Sequence, residues 1–223
     1  SIVFLALSSI ADEFNVTLRA VTWVAISTSL TISAIMLPLG RVSDITGRKK
    51  FHIFGMVFFV AGALLAFSSQ TLEMLIVSRV VMSIGSAMGQ AVVFAIIIGV
   101  FPSNERGKAL GMITTAVAIG AAAGPIIAGP VIQEFGWRAV FLFTAAPTTV
   151  GIVAAIFVLD DKRIGSTARK IGSKYDWLGA GLSAAALSLT ILTISNPFAF
   201  DWISIQIIGG AILSAALFAM LVW

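Results

Sequence analysis

The sequence predicts an all-α membrane protein, and three observations carry that prediction. Fifty-nine per cent of the 223 residues are hydrophobic and the mean hydropathy is +1.06, more apolar surface than a soluble domain of this size conceals. Apolar stretches of roughly 18 or more residues recur from end to end, the length a helix needs to cross a bilayer. Asp, Glu, Lys and Arg make up only 11% of the chain, and they gather in the segments between those stretches. Backbone groups in lipid must be satisfied within a segment, so helices follow; the alternation of a membrane barrel is absent. With no Cys, disulfides, thiolate nucleophiles and cysteine metal sites are excluded. The net charge of +4 and pI near 9.9 read as cationic loops on one side of a bilayer rather than a nucleic-acid surface.

Taken in order, the predicted spans are about 1–14, 20–40, 50–69, 72–100, 107–132, 138–159, 176–196 and 203–223. The first is a truncated helix, because Ser1 already lies inside an apolar run with no initiator Met before it. A fragment of a longer protein would look this way, and the opening lacks the basic flank of a signal peptide. The polar segment 160–175 separates six helices from two and is the one plausible linker. Cations set the orientation. Arg41, Arg48, Lys49, Lys50, Arg106, Lys108, Lys162, Arg163, Arg169, Lys170 and Lys174 follow even-numbered spans, whereas only Arg19 and Arg138 fall on the other side. The positive-inside rule therefore puts 41–50, 101–108 and 160–175 in the cytoplasm of a multi-pass protein of the plasma or inner membrane. Trp23, Trp137, Trp177, Trp202 and Trp223 sit near span ends, as an aromatic belt requires.

Between the second and third spans runs Gly40-Arg-Val-Ser-Asp44-Ile-Thr-Gly47-Arg48-Lys49-Lys50. This resembles the signature loop between helices 2 and 3 of major facilitator superfamily transporters. Helix 5 carries Gly111-x8-Gly120-x3-Gly124-Pro125-x2-Ala128-Gly129, similar to that superfamily's antiporter motif with Ala for one Gly. Pro102 to Gly111 resembles its P-x-x-E-R-G-x-A loop, and Phe135-Gly136-Trp137-Arg138 the start of its helix 6. Tyr175-Asp176-Trp177-x-Gly179 resembles the opening of the two extra helices in the fourteen-helix drug:proton antiporter branch. The resemblance covers essentially the whole chain. It implies the N-terminal six-helix bundle of that fold over 1–159, a cytoplasmic loop over 160–175 and two linker helices over 176–223, with the C-terminal bundle absent.

Each candidate site has a plain structural reading beside the functional one. Arg48, Lys49 and Lys50 would anchor any third helix at the headgroups, and Gly40 and Gly47 permit a tight turn. Asp44, however, is costly near the membrane unless paired; the resemblance implies a cytoplasmic latch built on Gly40, Asp44, Gly47, Arg48 and Lys49. Arg79 lies about 12 Å inside the fourth span, where it either snorkels to the headgroups or faces a cavity. Ser83, Ser86 and Gln90 follow at i+4, i+7 and i+11, so the four form a polar stripe on one face. In relatives the matching Arg is linked to proton coupling, although Met82 and Ser83 here replace a Gln and a Gly of the pattern. Small residues on helix 5 favour close helix contact, and the resemblance adds an antiport role for Gly111, Gly120, Gly124, Pro125 and Gly129. Ser27, Thr31 and Thr115 either bond their own backbone or line a substrate pocket with Met82. His52, the only His, reads as a solvated interfacial residue.

The resemblance implies alternating access, with amphipathic or lipophilic molecules exported as protons enter. Expected partners are the small-molecule substrate, protons, the lipid bilayer and the opposite bundle; neither a cofactor, a metal nor a nucleic acid is implied. A membrane enzyme would need clustered His, Asp, Glu or Cys within the spans, and the sequence has none. Apart from Asp44, none of the ten carboxylates lies well inside a span. That leaves a facilitator or symporter of a small metabolite, or a non-transporting structural subunit, as the alternatives.

Overall fold

The structure is a computed structural model that describes residues 3–159, Ile164 and 176–222. The described residues form eight helices: α1 (Val3–Phe14), α2 (Leu18–Thr46), α3 (Arg48–Phe67), α4 (Leu72–Val100), α5 (Arg106–Phe135), α6 (Ala139–Val158), α7 (Trp177–Ser195) and α8 (Ile205–Val222). Six of them, α2 to α7, are long and apolar enough to cross a membrane; α1 and α8 are shorter. The expected linker and cytoplasmic loop at 160–175 lies outside the described residues except for Ile164.

Local chemistry sets the helix starts. Thr17 and Thr71 accept from the amides of Ala20 and Met74, each at 3.2 Å, and the Asp176 carboxylate accepts from Gly179 at 2.8 Å. Each cap satisfies an amide that the first turn leaves without a partner. One boundary is corrected here. The expected spans end near 40 and restart near 50, whereas α2 continues through Gly40 to Thr46 and the tight turn shrinks to Gly47 alone, at φ 93°, before α3. Ser43 and Thr46 return their hydroxyls to the carbonyls of Gly40 and Val42, so the polar tail stays helical. A 29-residue helix is about 44 Å long against a hydrocarbon core of about 30 Å; the tail extends into the headgroups.

α4 is the central element, packed against α3 on one side and α2 on the other, with α6 covering α3. The α3–α4 contact is unusually close. A Cβ at Gly62 would sit 2.5 Å from the Met82 amide nitrogen, and one at Gly85 would strike the Gly55 carbonyl and the Phe59 amide. Two apolar cores flank this seam. One joins Ile10, Val21, Val24, Leu75, Trp137 and Phe141 from five segments; the other joins Phe51, Met88 and Val92. α7 and α8 form a hairpin held by a 2.6 Å hydroxyl contact between Thr190 and Ser214, and α7 lies along α2. α5 is peripheral, with no buried residue in its most apolar window. It runs unbroken through Pro125 and Pro130.

Candidate functional site

Arg79 is seven residues into α4, about 11 Å from its start. Its guanidinium turns toward α2, where one nitrogen donates to the Thr28 hydroxyl at 2.9 Å. Another lies 3.8 Å from the Met82 sulfur, a weak acceptor. The third, Nε, is buried and has no hydrogen-bond partner. No described carboxylate pairs with it. The guanidinium borders a cavity of about 300 Å³. α2 supplies Thr22, Ala25, Thr28 and Ser29, and the last residue of α7, Ser195, completes the wall.

This arrangement brings together some of the expected residues and leaves others aside. Ser83 is 2% exposed and returns its hydroxyl to the Arg79 carbonyl at 2.6 Å. Ser86 accepts from Gln90 at 3.1 Å and borders a different groove, with Gly55 and Thr148. The polar stripe therefore does not line one cavity in this structure. On α2, Ser27 and Thr31 bond the carbonyls of Val24 and Ser27, and the face that meets the cavity is the adjacent one carrying Thr22, Ala25 and Ser29. Thr115 is exposed on α5, away from both cavities. Met82 is buried and touches Arg79 through its sulfur.

At the opposite end of the bundle, Asp44 Oδ1 accepts from Arg48 at 3.1 and 3.3 Å across the Gly47 turn. Arg48 also donates to the Ala95 carbonyl of α4 at 3.3 Å, and Lys49 donates to the Ile156 carbonyl of α6 at 3.0 Å. One turn thus fastens the ends of α2, α3, α4 and α6. Ile156 lies in the last turn of its helix, where carbonyls lack intrahelical donors and a cation is favourable by about 0.3–1 kcal/mol. On α5, a Cβ at Gly111, Gly120 or Gly129 would meet nothing within 4 Å; Gly124 is half-buried and Pro125 exposed.

The Major Facilitator Superfamily model matches residues 1–223. The chain belongs to the major facilitator superfamily. It is 32% identical over 204 residues to the riboflavin transporter RibZ of Clostridioides difficile, covering 88% of this chain and 42% of that protein. It is 31% identical over 203 residues to multidrug resistance protein 3 of Bacillus subtilis, covering 88% and 38%. Lincomycin resistance protein LmrB of Listeria monocytogenes is 26% identical over 219 residues, covering 98% and 45%. The chain spans about four tenths of the length of these curated relatives. One of these relatives is named as a transporter and two for drug resistance, and membership of the family points to a multi-pass membrane transporter rather than an enzyme.

Two features of this major facilitator chain escaped the sequence reading. Glu13, at the end of α1, accepts from the Trp137 indole at 2.6 Å and pairs with Arg138. Arg138 also donates to the Ser69 carbonyl at 2.7 Å and stacks over the Trp137 ring at 4.4 Å. This clasp joins α1, the α3–α4 turn and the α5–α6 turn. The signal for it was Arg138 itself, a cation on the side where cations are scarce. The second is His52. The expected solvated position is corrected: His52 is half-buried, its Nδ1 has no partner, and a Cβ at Gly89 would lie 3.8 Å from its ring. The close approach of α3 and α4 draws the ring into their seam.

Proposed function

We propose that the full-length protein carrying this chain is a secondary active transporter that exports amphipathic organic molecules in exchange for protons. Residues 1–159 form one bundle, 160–175 a cytoplasmic loop, and 176–223 two additional helices. A second bundle covers the small-residue face of α5 around Gly111, Gly120 and Gly129, and the two bundles rock about a midplane site in the cell membrane. The Asp44–Arg48 pair and Lys49 close the cytoplasmic side, weakly enough to open each cycle, since such surface pairs contribute about 0–1 kcal/mol. The observation that carries this reading is Arg79, a cation deep in a span that faces a cavity instead of lipid. Relatives named for multidrug and lincomycin resistance support the substrate class.

The test is flux through the full-length protein in proteoliposomes under an imposed pH gradient. Uphill movement of a lipophilic substrate against entering protons, lost in Arg79→Ala while membrane insertion is normal, is the expected outcome. Normal flux in a well-inserted Arg79→Ala variant would remove Arg79 from the mechanism. A second reading, a facilitator or symporter of a small metabolite, is favoured by one observation: among the described residues, every carboxylate sits at a helix end or in a turn. Flux indifferent to the pH gradient, or running with it, would select that reading.

A further inference from the structure

We infer that the Arg79 cavity is an anion-recognising subsite, taking the carboxylate of a lipophilic organic acid, and that α7 is part of it. The inference rests on the transport reading of this cavity and specifies its ligand. Two observations point the same way. The guanidinium has a single hydroxyl partner, one weak sulfur acceptor and a buried Nε with none. No described carboxylate balances it. A part-buried cation with unused donors is unfavourable until an anion fills them, and a planar guanidinium fork matches a carboxylate's two oxygens.

The remaining lining fits the rest of such a molecule. Ser29 and Ser195 line the cavity together with Arg79, while Ala25 and Ile26 offer apolar surface for a hydrocarbon body. A cavity of about 300 Å³ is at the lower end of ligand-pocket sizes, enough for a headgroup and the first part of a chain. A cationic ligand would be repelled by the Arg79 charge, which no carboxylate among the described residues compensates. Ser195 of α7 lines the same cavity as Arg79, so the helix pair beyond the sixth span contributes to recognition and is more than a spacer.

The experiment uses the full-length protein in neutral detergent, titrated with dansyl-undecanoate and with its methyl ester. The two probes share one apolar body and differ in charge, so the comparison within the native protein needs no variant. The acid is expected to bind about tenfold tighter than the ester, the worth of one charge-assisted hydrogen-bond set. Arg79→Gln should abolish that preference and Arg79→Lys should keep part of it. Ser195→Val should weaken the acid severalfold and leave the ester unchanged. Equal binding of acid and ester by the native protein, or a preference that survives Arg79→Gln, overturns the inference. Displacement of the acid by phosphatidylglycerol but not by decanoate would assign the charge to a lipid headgroup and likewise overturn it. The two levels of the argument fail differently. Carboxylate selectivity without any gradient-driven flux removes the transport reading alone; flux of a neutral substrate without carboxylate selectivity removes only this inference.

Discussion

Gly85 sits where α3 and α4 come closest, and an added Cβ would fall on the Gly55 carbonyl oxygen and the Phe59 amide. Both obstacles are backbone, so neither can rotate away, and the helices must separate. Gly85→Ala should therefore destabilise the full-length protein by about 1–3 kcal/mol, the range for overpacking a filled interior, read as a lower melting temperature in detergent. Gly111→Ala and Gly120→Ala make the contrast, because nothing lies within 4 Å of a Cβ at either position. Within this bundle they should leave the melting temperature unchanged, and any loss of flux they cause would arise at a contact with another segment. The α5 glycines stood out in the sequence through their resemblance to an antiporter motif, whereas Gly55 and Gly62 were passed over. Spacing shows that a helix can approach a neighbour closely; it does not show which neighbour is there. Arg79 was legible for the opposite reason. A cation inside an apolar run has few places to be, whatever the fold around it.

Helix ends are tied by polar side chains at both faces of the bundle, and the two ties differ in strength. At one end Glu13 holds both Trp137 and Arg138, with Arg138 further fixed by the Ser69 carbonyl and the Trp137 face. Glu13 is 44% exposed, so water screens the pair. A double-mutant cycle of Glu13→Gln and Arg138→Gln, followed by thermal melting, should return a coupling of about 0.5–1 kcal/mol. Zero coupling would reduce the clasp to a packing contact of Trp137. At the other end, Asp44 and Arg48 pair across the Gly47 turn beside Ser43, which is 1% exposed. In a cysteine-free background, a Ser43→Cys thiol should react slowly with a maleimide, and severalfold faster when Asp44→Asn is added. An unchanged rate would mean that the pair does not hold the turn shut. The existence of these helices was legible from hydropathy and length. Their rotation was not: helices apolar on every side carry no moment to show which face turns inward. That is why Ser27 and Thr31 were chosen on α2 while the cavity meets Thr22 and Ser29. The clasp depends on two residues 125 positions apart, and neither lies in a motif that would have paired them.

Across the whole molecule the charge is arranged along one axis, and the contacts sharpen the asymmetry seen in the sequence. On the cation-rich side Arg48 and Lys49 bond backbone carbonyls, and Arg48 also pairs with Asp44. On the other side Arg138 is neutralised by Glu13, leaving Arg19 as the one further cation of the two counted there. Each Lys or Arg beside an anionic cytoplasmic leaflet is worth about 1 kcal/mol, so the summed preference for one orientation is large. The turn between α4 and α5 should then be cytoplasmic and the turn between α7 and α8 outside. Ser103 and Asp201 are exposed residues of those two turns and serve as reporters in a cysteine-free full-length protein. An impermeant maleimide should label Asp201→Cys on intact cells, and Ser103→Cys only after the membrane is permeabilised. The reverse pattern would invert the bundle and move the Asp44–Arg48 turn to the outer face, where it could not close a cytoplasmic gate. Labelling of both from outside would mean that the two turns share a side. An odd number of crossings would then be missing from the path between them, and the added α7–α8 pair could not bring Ser195 to the Arg79 cavity from the direction the structure shows.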